Sequence, residues 1–332
     1  MNDLKIISIN RTQLMGFAIL WIMLFHAQID MGNLINHISE FGYGGVDIFL
    51  FLSGFGLFYA SQKRENVLVF YKNRFIRIFP IFWASVLILD LCLGNFSWNT
   101  ILWKMTTVGF WIPMLDIPYA LWYISAISAF YLLYPLYFKI FIKKPLLSLG
   151  LSCLLSGILT GIYTYSFLCI YPEEKNGLIF FTSRIPVFCI GVYVGWLSCK
   201  PQISKNISNI FILSSFIAIV VLFVLSRHLD YWLMRNCGFF YFPFILIVPG
   251  ISIFLSRCFD KLPLCINRIF IFLGTLSLEL YLIHEALFGY VENVERSLHI
   301  STRIAFLCIF ILTIIGAYIL SCFSKLLLKK IV

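Results

Sequence analysis

Apolar and polar positions come in long blocks along this chain. Ten runs of near twenty mostly apolar residues lie at about 12–30, 44–61, 78–95, 118–138, 145–165, 179–198, 207–225, 239–256, 269–289 and 303–323. A helix rises ~1.5 Å per residue, so a run of about twenty spans a hydrocarbon layer of roughly 30 Å. The pattern predicts an all-α polytopic membrane protein, a bundle of about ten transmembrane helices. With an even number of spans both termini share a side. Of the 25 Lys and Arg residues, 18 fall in the termini and even-numbered loops, six in the odd-numbered loops, and Arg184 inside a span. Positive loops stay inside, which predicts cytoplasmic termini. No stretch is long enough for a soluble catalytic domain and no Pro/Gly/Ser-rich linker divides the chain. Residues 1–332 are therefore read as a single membrane-embedded domain, multi-pass in the cell membrane.

Composition sharpens this picture. The chain is 61% hydrophobic and only 12% charged, with a mean hydropathy of +0.94; a soluble domain carries about twice that share of charge. The formal charge of +10 is spread as punctuation between apolar runs, which excludes a nucleic-acid stripe and leaves membrane lipid as the surrounding partner. Five of the ten cysteines (Cys92, Cys153, Cys189, Cys308 and Cys322) lie inside apolar runs, and there is no CxxC pair or histidine at ligand spacing, so neither a metal site nor a disulfide framework is expected. The first run follows Lys5 and Arg11 as a signal peptide would, but it is too long for a typical apolar signal core and lacks a small-residue cleavage site. It is read as the first mature span.

Ionisable residues inside the spans are the candidate chemistry, because burying them is costly and they usually face a cavity or a partner. His26 lies about 22 Å beyond Arg11 along the first span. Two readings stand for it: a neutral imidazole bonded to a neighbouring helix, or a catalytic base. Asp47 opens the second span after Gly44-Gly45, either as a helix cap or as a buried site carboxylate. Arg184 precedes Pro186, which breaks helix hydrogen bonding and can open a cavity; the arginine alternatively snorkels to the outer headgroups. On a straight ninth span starting near Ile269, Glu279 falls about 16 Å along and His284 about 24 Å, close to the depth of His26. Glu285 follows, near enough to the outer interface to be solvated. Gly42, Gly44, Gly45, Gly54 and Gly56 permit close helix approach. Residues 97–116 mix Trp with polar residues and read as an outer interfacial segment or a lid. On the inner side, Arg74 and Arg77 share a helix face three residues apart beside Lys72, a pairing suited to phosphate oxygens and also to plain topology marking.

Several blocks resemble one family. LMGFAILWIMLFHA, GYGGVDIFLFLSGFGLF and FYKNRFIRIFPIFW, followed by LWYISAISAFYLLYP, SRIPVFCIGVYVGW and LGTLSLELYLIH, resemble the acyltransferase type 3 family, ten-span proteins that O-acylate cell-surface glycans. The similarity runs from about residue 12 to 323. It implies a catalytic histidine at His26 and an acyl-CoA site at Arg74 and Arg77, with Lys72 as an auxiliary charge. Two departures are visible: Met15 stands where the family commonly has an arginine, with Arg11 one turn earlier as an imperfect substitute, and Ile127 and Ser128 stand where it often has acids.

The expected function is transfer of an acyl group, acetyl above all, from acyl-CoA (acetyl-CoA) to a hydroxyl of a cell-surface or lipid-linked glycan. His26 acts as base or transient acyl carrier, Asp47 or another carboxylate orients it, Arg184 or a helix N-terminus steadies the oxyanion, and His284 completes the polar layer. The competing expectation is a carrier or exporter of a glycan or lipid-linked precursor, which uses the same polar groups.

Overall fold

The computed structural model describes residues 3–27, 29–62, 66–92, 94, 96–111, 122–169, 177–201, 205–229 and 238–331. Among them there is helix and no strand. The helices are α1 (Ile6–Ile9), α2 (Arg11–Ala27), α3 (Asn33–Glu40), α4 (Gly44–Ser61), α5 (Val67–Cys92), α6 (Trp98–Thr106), α7 (Trp122–Phe141) and α8 (Pro145–Cys169). They continue with α9 (Gly177–Thr182), α10 (Ile185–Ser198), α11 (Lys205–His228), α12 (Phe244–Phe259), α13 (Leu264–Thr275), α14 (Ser277–Phe288), α15 (Val291–Leu298) and α16 (Thr302–Ile331). Eight helical segments are long and apolar enough to cross a membrane, and ten do so if each of two bent pairs counts as one span.

Burial sorts the spans into a core and a lipid-facing ring. The spans at Gly44–Ser61 and Leu178–Ser198 are each 72% buried, whereas those at Pro145–Ser166 and Asn206–His228 are each 22% buried. A helix apolar on every side is either central or facing lipid, and these two pairs take the two roles. The central crossing of α4 with α10 rests on glycine. A Cβ at Gly54 would run into the Phe188 carbonyl oxygen, and one at Gly191 into that of Phe51. A second crossing, α2 on α13, uses Gly16 against Phe270 and Gly274 against Thr12. Backbones approach this closely because a glycine on each helix puts no Cβ in the way of the carbonyl it faces.

The bends correct the straight-span picture. α1 and α2 meet at 67°, and α13 and α14 at 77°. At the first bend the buried Asn10 side chain donates to the Ile6 and Ser256 carbonyls and, at 2.9 Å, to Asp260. The second bend falls at Leu276 in the ninth span, so depths measured along a straight helix from Ile269 do not apply there. α2 is continuous from Arg11 to Ala27, and the 22 Å between Arg11 and His26 holds. Pro186 does not kink a helix either: it is the second residue of α10, where a missing N–H costs nothing. The basic stretch around Lys72, Arg74 and Arg77 forms the opening turns of the 26-residue α5, continuous with its span. In the Trp-rich segment, α6 docks through Lys104, which donates to both oxygens of the buried Asp90 at 2.9 and 2.8 Å; residues 112–116 and Pro118 lie outside the described residues.

Candidate active site

One end of the bundle holds a cavity of about 590 Å³. Its walls come from the end of α2, the start of α4, the start of α7, the α9–α10 junction, the end of α11 and the later turns of α14. Half of its described lining residues are Phe, Tyr or Trp; the polar ones include His26, Arg184, Arg227, Glu40 and Glu285. Aromatic faces with a few convergent polar groups are the ordinary make-up of a small-molecule site.

His26 and His284 come together there. Their ring centroids are 5.1 Å apart, edge to face. His26 lines the cavity, whereas His284, 1% exposed, sits behind it. His284 Nδ1 lies 3.0 Å from the Leu280 carbonyl oxygen and 2.9 Å from that of Tyr281. Carbonyl oxygens only accept, so Nδ1 carries a proton and donates it. In neutral His284, Nε2 is then a lone-pair acceptor, and that atom is buried without a hydrogen-bond partner.

Asp47 and Arg184 form the second pair, and both one-residue alternatives raised for them fall away. Asp47 is fully buried in the first turn of α4, and no side chain caps that helix. Arg184 is 1% exposed and does not reach the headgroups. Its Nε lies 3.3 Å from Asp47 Oδ1, an ion pair by distance whose angles fall outside hydrogen-bond geometry. The guanidinium is sandwiched by rings, 4.0 Å from the Tyr241 centroid and 4.8 Å from that of Trp122, and donates to the Phe180 carbonyl at 3.2 Å. Arg184 faces the cavity; Asp47 stands behind it, and neither carboxylate oxygen makes a hydrogen bond. Its partner is thus the arginine and not the imidazole of His26.

A second, smaller cavity of about 60 Å³ lies toward the start of α2 and is lined by Arg11, Met15, Arg77, Tyr131, Ser277 and Tyr281 among others. Tyr281 lines both cavities, and Trp122 of the larger one adjoins Tyr123 of the smaller in sequence. Arg74 turns aside, its guanidinium 5.4 Å from the Phe70 ring centroid and 5.6 Å from that of Tyr131. Lys72 is exposed and outside the pocket's lining.

The seven singled-out residues thus fall into two groups, His26, His284, Asp47 and Arg184 at the larger cavity and Arg74, Arg77 and Lys72 on the side of the smaller. Sequence reasoning did not select Tyr241, Tyr281 or Glu285 as site residues. Glu285 carried a signal, since it follows His284 directly; the two tyrosines are indistinguishable in sequence from the other aromatic residues of the spans.

Comparison with known proteins bears on the family. Residues 13–322 match the family model described as an acyltransferase domain. Part of the chain is similar to a protein named acyltransferase MdmB of Streptomyces mycarofaciens, 28% identical over 134 residues, covering 36% of this chain and 35% of that protein. The match therefore spans about a third of that relative's length. No solved structure matches. With the family model covering nearly the whole helical bundle, the chain belongs to the acyltransferase type 3 family.

Proposed function

We propose that the protein transfers an acyl group, acetyl in the simplest case, from acyl-CoA to a hydroxyl of a cell-surface or lipid-linked glycan, as a multi-pass enzyme of the cell membrane with cytoplasmic termini. The observation that carries this reading is His26 on the wall of an aromatic cavity, backed by a histidine whose tautomer the helix backbone fixes. Imidazole titrates near neutral pH and suits a general base. His26 takes the hydroxyl proton as the oxygen attacks the thioester carbonyl; the C–S bond breaks and the thiolate leaves as the thiol after regaining a proton. His284 steadies the His26 ring. Arg184, held by Asp47 and two aromatic rings, presents a fixed positive charge to the cavity where the oxyanion develops. Aromatic walls suit the apolar faces of sugar rings.

The donor enters from the opposite side, its phosphates on the cationic groups around Arg77 and Arg74 with Lys72 as an outlying charge. The acyl arm reaches toward His26 past Tyr281, the residue common to both cavities. A carrier reading draws support from the two bent spans, but the first bend lies at Asn10, at the start of its span, so only the second interrupts a span midway.

The test is acyl transfer, or acyl-CoA hydrolysis without acceptor, by the purified protein and its His26→Ala form. The expected loss is roughly 10²- to 10⁴-fold. Undiminished turnover by the variant overturns the assignment of His26, and binding of a glycan precursor without turnover favours the carrier.

A further inference from the structure

The walls of the larger cavity differ in exposure, and the difference locates its mouth. Arg184, Tyr241 and Tyr281 line it from buried positions, whereas its exposed described lining residues are His37 and Glu40 on α3 and Phe223 and Arg227 on α11. The cavity therefore opens between α3 and α11. Since α11 is one of the two lipid-facing spans, 22% buried, this mouth gives sideways onto the apolar layer.

α11 presents one continuous lane to that mouth. Phe216, Val220, Phe223 and Arg227 follow at steps of four, three and four residues, which sets them on one helix face over about 16 Å. The first three are exposed apolar side chains, and the fourth is an exposed arginine in the last turn. The Arg227 guanidinium lies 5.0 Å from the Phe223 ring centroid and makes no ion pair among the described residues. α8 supplies the contrast: equally bare to lipid, it carries no charged residue and lines no part of the cavity.

An apolar lane, a cation where the helix ends and a polar aromatic chamber behind it match, in that order, an apolar chain, a phosphate and a sugar. Arginine at a membrane surface binds lipid phosphate through charge-assisted hydrogen bonds. Of the other charges at the mouth, Glu40 lies 3.6 Å from His37 on its own helix. On the α14 wall, Glu285 lines the chamber with no hydrogen bond or ion pair among the described residues, and a carboxylate there accepts from sugar hydroxyls.

We infer that the acceptor is a sugar joined through phosphate to a membrane-embedded apolar chain, and that it enters sideways between α3 and α11, its chain along Phe216, Val220 and Phe223 and its phosphate on Arg227. That it is then acylated rests on the acyl-transfer reading above; the entry route does not. A glycan free in water would need neither the lane nor the cation.

The test places the full-length protein in phosphatidylcholine nanodiscs with an isoprenyl phosphate bearing a benzophenone on its chain, and maps the photo-adducts by peptide mass spectrometry. Adducts on α11 should exceed those on the equally exposed α8 roughly fivefold or more. Arg227→Gln should bring the two helices level, Arg227→Lys should keep most of the preference, and the exposed Arg296→Gln control should change it less than about twofold. Even labelling of α8 and α11 in wild type, or an Arg227→Gln form that labels like wild type, overturns the route. Unlabelled isoprenyl phosphate in excess should remove the α11 adducts and phosphatidylglycerol should not; equal competition reduces the lane to an ordinary lipid contact and overturns the acceptor assignment. Preferential α11 labelling by a protein that transfers no acyl group leaves the route standing and the acyl-transfer reading fallen, and acyl transfer with even labelling does the reverse.

Discussion

Replacing Asp47 with Asn removes the anion beside Arg184 while keeping nearly the same volume. At 3.3 Å, two unit charges attract by about 5 kcal/mol with an effective dielectric constant near 20. Part of that offsets the cost of having taken both groups out of water, so the pair itself is no large source of stability. Breaking it is different, because the variant leaves Arg184, 1% exposed, charged and unpaired. The expected loss is roughly 3–5 kcal/mol. The Tyr241 and Trp122 rings around the guanidinium recover some of it, about 0.5–2 kcal/mol per face. Arg184→Met alone strands Asp47 in the same way and also empties the aromatic sandwich. The double variant strands nothing, so it should be more stable than the two single losses predict when added, by at least about 2 kcal/mol. Unfolding in mixed micelles with increasing SDS, followed by tryptophan fluorescence, gives all four corners of this cycle. Additivity within about 0.5 kcal/mol would falsify the coupling and with it the idea that Asp47 serves the cavity through Arg184.

Other outcomes follow from the same geometry. His284→Ala should lower kcat roughly tenfold or more with little change in KM and should shift the pH–rate profile, because the ring steadies the base; an effect on KM alone refutes that role. Gly54→Ala must displace the Phe188 backbone and should cost about 1–3 kcal/mol, whereas Gly150→Ala meets open space and should be neutral or slightly stabilising in the same SDS assay. Cysteines introduced near Lys143 and near Asn293 should be, respectively, shielded from and reactive to an impermeant label on intact cells; the reverse pattern inverts the orientation. In the turn after α2, Gly32 N–H, then the Asn36 side chain and, more weakly, Arg303 hold the exposed Asp30 carboxyl below its ordinary range. A depressed pKa contributes order that is present above the ordinary carboxylate range and is lost as pH falls through the folded value. Protection of the backbone amides at residues 31–36, corrected for the intrinsic exchange rate at each pH, should therefore fall on strong acidification in wild type and not in Asp30→Asn; equal acid responses refute the link.

How much of this was legible in the sequence depends on the distance over which each feature is encoded. Spans are local: a run of about twenty apolar residues must be a helix in lipid, and the ten runs correspond to the eight long apolar segments and the two bent pairs. Depth along a single unbroken helix is also local, which is why 15 residues of α2 correctly separate Arg11 from His26 across most of a hydrocarbon layer. The ninth span defeats the same arithmetic because its bend at Leu276 carries no proline, and Gly274 reads equally well as a packing residue. It serves as one, against Thr12 of α2. His284 still arrives beside His26, although the straight helix that predicted it is absent, since α14 restarts inside the bundle and runs up the wall of the larger cavity. Pairings are not local at all. Nothing near Asp47 names Arg184 as its partner, and nothing near Arg11 shows that it shares a pocket with Arg77 and the start of α14. One physical fact links these pairings: a charge inside an apolar bundle must find an opposite charge, a ring face or a ligand. Asp47 and Arg184 find each other and two rings. Arg77 escapes that demand because it is exposed, and Arg11 meets it in part by lying half-buried at the edge of the smaller cavity.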